Sequence, residues 1–212
     1  MAELDQAYML RERQRAMAWK RRSTAVPLEA KAPAQYVNKD GEARGLHHDY
    51  CIPAEHAAVS LLPEVREMAL VLFAELGIPW HAGVGNGPGN HLLSSQVQCV
   101  NALGQMVTDP NRLARAFKAL LGTAEVLQIE PGRYLTFEYI GDTDYFNEGA
   151  GGPRVRGTHC TSVDAAFLHR TDGGHVELVL IEWKYTESYR LRRPDPDKDK
   201  VRWARYGSAL TG

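Results

Sequence analysis

Three charged residues near the carboxyl end of the chain have the types and spacing of a metal site that cleaves phosphodiesters. Asp164 is the one carboxylate in an apolar strand-like run, and Glu182 and Lys184 end the next such run with one residue between them. Mg²⁺ and Mn²⁺ prefer carboxylate oxygens, and a lysine beside the ion can orient a reacting water. The pattern indicates metal-assisted hydrolysis. A surface hairpin with an ordinary acid–lysine pair is the simpler alternative.

The turn between the two runs decides whether the carboxylates can meet. Side chains alternate along a strand, so Glu182 and Lys184 share a face. A two-residue Asp-Gly loop within Thr171–Gly174 would place Asp164 opposite Ile181, whereas a three-residue Asp-Gly-Gly loop would place it opposite Glu182. We favour the longer loop because its second glycine suits a left-handed position. At about 4 Å, the repulsion between the facing charges is of order 4 kcal/mol, which a divalent cation would offset.

The segments around these residues resemble the PD-(D/E)XK nuclease superfamily, and most of all a prokaryotic restriction-endonuclease-like branch of it. The resemblance covers about residues 90–206 and is carried by Thr161–Ala165 (TSVDA), Ile181–Glu187 (IEWKYTE), Ser94–Gln96 followed by Asn101, and Phe137–Tyr139 (FEY). It implies a divalent-metal-dependent nuclease, in the first place a DNA endonuclease of restriction-enzyme type. Asp164 and Glu182 would then bind Mg²⁺ (or Mn²⁺), and Lys184 would act on the water.

Two further residues join the predicted site through this resemblance. The superfamily often uses a third acid near the metal, and the FEY match assigns that role to Glu138. A strand-end acid paired with a nearby arginine is the alternative for Glu138. Gln96 lies near the start of the matched helix and would approach the site, or else pack between helix and sheet.

The resemblance also implies an α/β fold of the α+β kind, in which helices flank a mixed sheet. We expect a nuclease-like core in residues 90–212 and an N-terminal extension of helices and loops in residues 1–89. In the extension, a helix over residues 3–22 would end in a solvated basic turn, Lys20–Arg22. Residues 23–53 would form an irregular connection, with His47–His48–Asp49 as a polar loop. Periodicity and turn residues predict helices over 63–76, 92–106 and 111–121, and strands over 124–130 and 133–140.

A basic region follows the predicted metal site, where a bound DNA backbone would pass. Asp195–Pro196 is a typical helix start. The residues predicted to contact nucleic acid are Arg192, Arg193, Lys198, Arg202 and Arg205. An ordinary solvated basic face is the alternative.

Composition narrows the classes of protein. The 212 residues carry a net charge of −1, so binding of nucleic acid would need a local basic face. Three widely spaced cysteines support neither a disulfide framework nor a zinc knuckle, and they favour a cytoplasmic location. No apolar run has the length of a membrane span.

Two other functions stay open. One is a catalytically inactive nucleic-acid-binding or assembly module of the same fold. The other is a hydrolase on a different scaffold that uses Asp164 and Glu182 as an acid/base pair, which leaves Lys184 without a role. In the resembling family a further strand follows the basic helix, whereas this chain stops at Gly212. We therefore expect a C-terminally truncated core, whose missing strand a second copy could supply in a homodimer.

Overall fold

The structure is a computed structural model that describes residues 2–38, 40–144, 148, 152–157, 160–186 and 195–210. Its helices are α1 (Ala2–Arg22), α2 (Pro63–Glu75), α3 (Ser95–Leu103), α4 (Pro110–Leu121) and α5 (Pro196–Leu210). Its strands are β1 (Ala34–Val37), β2 (Ala43–His48), β3 (Thr123–Leu127), β4 (Leu135–Tyr139), β5 (Val163–Thr171) and β6 (Val176–Ile181). Short 3₁₀ helices span Leu28–Lys31, Ala54–Ser60 and Gly104–Met106.

Strand β5 is the centre of the main sheet. β6 pairs along one of its edges, and β4 and β3 lie end to end along the other, with Leu135 opposite Phe167 and Leu127 opposite Leu168. All strand pairs within the described residues are antiparallel. Helices flank this sheet, which confirms the predicted α+β class with a restriction-endonuclease-like core. The predicted mixed sheet is antiparallel within the described residues, because β3, β4 and β6 all run opposite to β5.

The β5–β6 hairpin has the predicted three-residue loop. The last ladder pair is Arg170 with Val176, and Thr171 N–H then donates to His175 O at 2.9 Å. Asp172, Gly173 and Gly174 lie between these closing residues, and Gly174 has φ +83°. A glycine is suited to that left-handed conformation because it has no Cβ. The loop length therefore sets the register of the hairpin.

The predicted helices are confirmed with small shifts at their ends. α2 begins with Pro63, and Ser94 caps α3 by accepting a bond from Val97 N–H at 3.3 Å. Asp109 caps α4 in the same way, through Arg112 N–H at 2.9 Å. These three helices bury apolar side chains against one face of the sheet, where Phe137, Ala165 and Phe167 lie. The main core is thus a helical layer on an antiparallel sheet.

The N-terminal region differs from prediction in two respects. The segment predicted to be an irregular connection contains the β1–β2 hairpin, and His47 and His48 end a strand instead of forming a polar loop. Lys20 is only 1% exposed, so the predicted solvated helix end is wrong at this residue. Its ammonium donates to Ala32 O at 2.7 Å and to Cys51 O, and these carbonyls replace water around the charge. Burial lowers the pKa of Lys20.

Two hydrophobic clusters hold the chain together. The main cluster combines α2 with α3, α4 and the sheet, and so draws on residues before and after position 90. The second joins Ala16 and Val26 to Leu92 and Leu93. The division into residues 1–89 and 90–212 stays a prediction.

Candidate functional site

Three carboxylates occupy one row across three neighbouring strands. Ala165 pairs with Ile181, so the β5–β6 register places Asp164 opposite Glu182 one step further on. On the other side of β5, Phe137 pairs with Ala165 and Tyr139 with Val163, and Glu138 therefore lies opposite Asp164. The row Glu138–Asp164–Glu182 is the candidate site.

Asp164 is the central member of this row and is partly buried. Its Oδ2 accepts a hydrogen bond of 2.6 Å from the backbone N–H of Trp183. Burial raises the pKa of Asp164, and the negative charges of Glu182 and Glu138 act in the same direction. The Trp183 N–H and the Lys184 ammonium oppose that rise of the pKa. The folded chain therefore places a carboxylate where its ionised form lacks enough compensation, which is the electrostatic situation that a bound cation relieves.

Glu138 has an unusual backbone conformation. Its φ is +47°, in the left-handed region that residues other than glycine seldom adopt. Gln96 Nε2 donates to Glu138 Oε1 at 3.1 Å, and Ser162 Oγ donates to Oε2 at 2.8 Å. Backbone outliers of this kind typically cost about 1–3 kcal/mol and cluster at functional sites. An amide and a hydroxyl therefore orient the carboxylate of Glu138.

Gln96 links Glu138 to the loop that precedes α3. Its side chain also donates to Pro79 O at 3.2 Å and accepts from His81 N–H at 2.8 Å. All of these partners are polar groups of the site or of that loop, so Gln96 is placed to orient Glu138. Asn101 has a different role. Its amide accepts from Leu62 N–H and donates to Ser60 O, both at 2.9 Å, and these contacts fix the start of α2.

Lys184 and Glu182 form an ion pair at the outer end of the row. Their side chains are 48% and 58% exposed, so the pair lies at the surface. The strand alternation that predicts a shared face for these two residues agrees with this contact. A surface pair of this kind contributes little to stability, and the lysine can exchange its partner at small cost.

The donor set of the row suits a hard cation. Within the described residues, no three His, Cys, Asp or Glu side chains converge as a metal cluster. The two carboxylate oxygens of Glu138 accept hydrogen bonds from Gln96 and Ser162. Asp164 and Glu182 supply oxygen donors from two strands, and Mg²⁺ commonly takes one or two carboxylates and keeps several waters. The chain's residues therefore fit Mg²⁺ held by two carboxylates.

A buried thiol lies close to the row but does not add a ligand. Cys99 on α3 is 1% exposed. Burial raises the pKa of its thiol, and the charges of Asp164, Glu138 and Glu182 raise that pKa further. A thiol must lose its proton to bind a metal, so Cys99 stays neutral beside the site.

The predicted nucleic-acid contacts are only partly described. Lys198 lies on α5 with its side chain 72% exposed, and it pairs with Asp195 at 3.2 Å. Arg202 and Arg205 lie on the same helix. Their side chains, and the whole of Arg192 and Arg193, lie outside the described residues.

Sequence reasoning missed the residues that support the row from a distance. Arg156 donates to Thr136 Oγ1 at 2.7 Å and to Phe137 O at 3.1 Å, and it pairs with Glu130. This network braces β4 immediately before Glu138. No spacing in the sequence pointed to Arg156 or to Ser162, because both reach the row through the fold.

A comparison with protein families identifies the chain's relatives. The model of a family described as restriction endonuclease associating with ARP matches residues 13–211. The chain belongs to this family. The match runs from within α1 to the end of α5, so the matched region of this chain includes both the carboxylate row and the N-terminal hairpin. Searches of curated proteins and of solved structures found no match.

No helix within the described ranges is long and apolar enough to span a membrane. The expected cytoplasmic location stays a prediction.

Proposed function

We propose that this chain is a divalent-metal-dependent nuclease of the PD-(D/E)XK type, and that it hydrolyses phosphodiester bonds in DNA as a restriction endonuclease does. The observation that carries the proposal is the row Glu138–Asp164–Glu182, with Lys184 paired to its outer member. Membership of a restriction-endonuclease family supports the same reaction.

Asp164 and Glu182 are the residues that we assign to Mg²⁺ (or Mn²⁺). The ion, when bound, lowers the pKa of a coordinated water and neutralises charge on the phosphate. The Trp183 N–H holds Asp164 Oδ2, and we assign the other oxygen, Oδ1, to the ion. The raised pKa of Asp164 favours this assignment because a cation would stabilise its ionised form.

Lys184 is the residue that we assign to the reacting water. Its ammonium contacts Glu182. As an ammonium it would orient the water and balance negative charge as the phosphate is attacked, and as a neutral amine it would accept the proton that the water loses. Glu138 is held by Gln96 and Ser162 and would complete the acidic side of the site.

DNA is the substrate that the family and the basic helix favour together. Lys198, Arg202 and Arg205 follow one another on α5 at helical spacing, and Arg192 and Arg193 precede them. Phosphate contacts position a nucleic acid without reading its sequence. These residues would thus hold the backbone while the carboxylate row acts on one phosphate.

The test is incubation of the purified chain with supercoiled plasmid in Mg²⁺, in Mn²⁺ and in EDTA, beside the double variant Asp164→Ala/Lys184→Ala. We expect nicking or linearisation that depends on the metal and is lost in the double variant. Cleavage that persists in EDTA, or in the double variant, would contradict the proposal.

One structural observation favours a second function. Because Glu138 is engaged by neighbours and no three-ligand cluster forms among the described side chains, the row also suits a catalytically inactive DNA-binding module. That function predicts retention of plasmid in a gel-shift assay with no cleaved product in either metal.

A further inference from the structure

A second cavity, lined by aromatic and basic side chains, lies beside the candidate site. It has a volume of about 420 Å³, within the roughly 300–1,000 Å³ common for small-molecule sites. We call it the aromatic–basic pocket, and the residues that define it are Arg13, Tyr36, Arg44, His48, Tyr50 and His91. It is built from α1, the β1–β2 hairpin and the loop that precedes α3.

The rings of this pocket form two pairs, and Tyr50 and His91 join the pairs edge to face with their centroids 6.5 Å apart. His48 stacks on Tyr50 with centroids 4.8 Å apart and planes at 14°, and Tyr36 meets His91 edge to face at 5.3 Å. Tyr36, His48, Tyr50 and His91 are only partly buried, so ring surface remains accessible within the cavity. Aromatic surface that lines a cavity suits another flat ring, and every nucleobase offers one.

Two arginines add positive charge at the same place. Arg13 lies with its guanidinium carbon 5.5 Å from the centre of the Tyr50 ring, and Arg44 is the cross-strand partner of Tyr36. Arg44 pairs with Glu42 at 2.6 Å, but both side chains are more than 60% exposed, and such a pair opens at little cost. Rings interleaved with guanidinium groups are the combination that binds single-stranded nucleic acid.

His91 contributes a neutral ring. Burial lowers the pKa of His91 to about 4, and the nearby charge of His81 lowers that pKa further. The imidazole is therefore uncharged near neutral pH. Its Nδ1 accepts from Leu93 N–H at 3.1 Å, so Nε2 carries the ring proton. A neutral imidazole can stack on a base without the cost of burying a charge.

The pocket is held in a fixed relation to the hairpin and to the carboxylate row. Asn90, fully buried, accepts from Val37 N–H at 3.0 Å and donates to Gln35 O and Ile52 O at 2.8 Å. On the other side, Thr186 lines the cavity and donates to Leu93 O at 3.1 Å. Thr186 is two residues after Lys184, and two extended residues span at most about 7 Å. The pocket thus lies within reach of nucleotides that flank a phosphate at Lys184.

We propose that the aromatic–basic pocket binds one unstacked nucleotide of the DNA, with its base on the tyrosine and histidine rings and its phosphate at Arg13 and Arg44. This inference rests on the proposed function in so far as DNA is the substrate. It adds that the chain recognises a base that has left the helix stack, at a position separate from the cleaved bond. A free nucleotide offers the same chemistry, and the experiment separates the two sources.

The experiment measures DNA binding in the absence of cleavage. The full chain carrying Asp164→Asn is titrated in EDTA into a fluorescent single-stranded oligonucleotide and into the paired duplex of the same sequence. Two matched pairs of variants are made in that background. Tyr50→Leu removes the ring and Tyr50→Phe keeps it, while Arg13→Gln is compared with Arg115→Gln on the exposed face of α4.

We expect Tyr50→Leu to weaken binding of the single strand by about tenfold or more, the usual loss when one base–ring stack is removed. Tyr50→Phe should stay within about twofold of its parent, and the paired duplex should be little affected by either change. Arg13→Gln should weaken the single strand and Arg115→Gln should not. Arg13 is exposed, so its variant decides the question if Tyr50→Leu fails to fold.

Equal affinity of the single strand for the parent, Tyr50→Leu and Arg13→Gln would overturn the inference. Binding of nucleoside monophosphates without binding of the oligonucleotide would overturn it in favour of a free-nucleotide site. Ring-dependent binding of the oligonucleotide, together with a wild-type chain that never cuts plasmid, would support the pocket and contradict the nuclease. Plasmid cleavage by the wild-type chain, together with oligonucleotide binding that does not depend on the Tyr50 ring, would support the nuclease and contradict the pocket.

Discussion

At the scale of single residues, the central feature is a carboxylate kept under electrostatic stress. Asp164 is flanked in the sheet by two acids, and burial adds to their effect in raising its pKa. One backbone N–H and one lysine compensate only in part. The ionised form of Asp164 therefore destabilises the folded state, and a cation bound beside it would offset this effect.

Replacing Asp164 with asparagine should separate stability from activity. The amide of the Asp164→Asn variant keeps an oxygen for the Trp183 N–H but removes the charge that the neighbouring acids repel. A raised pKa means that the folded state destabilises the ionised form, and this unfavourable contribution grows as pH rises through the carboxyl range. Thermal unfolding should therefore show Asp164→Asn at least as stable as wild type at neutral pH, with the difference fading in acid. A clearly lower unfolding temperature at neutral pH would contradict this electrostatic account.

Gln96 should act as a positioning residue for Glu138. Residues that hydrogen-bond to the groups around a metal typically change metal affinity or activity by about 10–100-fold when replaced. We expect Gln96→Ala to raise the Mg²⁺ concentration needed for half-maximal cleavage, with Gln98→Ala on the same helix as control. The unfolding temperatures of the two variants should be alike. An unchanged Mg²⁺ dependence in Gln96→Ala would show that its contacts serve only the packing of α3.

At the scale of elements, the length of the β5–β6 loop determines which residues face each other at the candidate site. Its three-residue loop pairs Arg170 with Val176, and the same register carries Asp164 opposite Glu182. A change of one residue in register would move every side chain of β6 to the other face. Val179 and Ile181, which pack on the main core, would then point away from it, and Glu182 would face the core.

Deletion of Gly174 tests the dependence of the site on register. A two-residue loop would place Asp164 opposite Ile181, so cleavage should be lost and thermal stability should fall as core residues of β6 are displaced. Insertion of a glycine after Gly132, in the turn between β3 and β4, is the matched control and should leave the row intact. Cleavage by the deletion variant at the wild-type rate would rule out register as the determinant.

The hairpin was predictable from sequence because alternation and turn chemistry are local. The caps of α3 and α4 were predictable for the same reason, since Ser94 and Asp109 act within three residues of their own positions. The register that joins β4 to β5 was not predictable from sequence, because it depends on strands more than 20 residues apart. The sequence predicts consecutive strands over 124–130 and 133–140, yet β3 and β4 both pair with β5 instead of with each other.

Long-range contacts account for the errors at single residues. The sequence around Lys20 is that of an exposed helix end, and only the carbonyls of Ala32 and Cys51 make its burial tolerable. The left-handed φ of Glu138 has no signature in the Phe-Glu-Tyr triplet. The partners that hold this conformation are Gln96, which lies on α3, and Ser162, which directly precedes β5.

At the scale of the whole molecule, charge is distributed unevenly along a nearly neutral chain. The net charge is −1, yet the segment that follows Glu182, the last member of the acidic row, is rich in arginine and lysine. This uneven distribution would suit a protein that binds a phosphate backbone next to the carboxylate row. A predicted homodimer would bring two such surfaces together, and it stays a prediction.

Removal of charge from α5 should change the salt dependence of DNA binding. Each phosphate contact contributes about 0.9 to the slope of log affinity against log salt on duplex DNA. The triple variant Lys198→Gln/Arg202→Gln/Arg205→Gln should therefore bind more weakly and with a shallower slope by up to about 2.7. Lys118→Gln on α4 is the single-charge control. A slope equal to that of wild type would exclude α5 from the DNA interface.

The most direct test of the carboxylate row as a nuclease site is the rate at which supercoiled plasmid is cut in Mg²⁺ by Asp164→Asn and by Asp172→Asn. Both changes remove one carboxylate charge from the same hairpin, but Asp172 lies in the turn, outside the row. We expect Asp172→Asn to cut at the wild-type rate, whereas Asp164→Asn, folded equally well, should leave the plasmid supercoiled. Cleavage by Asp164→Asn at the wild-type rate would exclude the carboxylate row as the nuclease site.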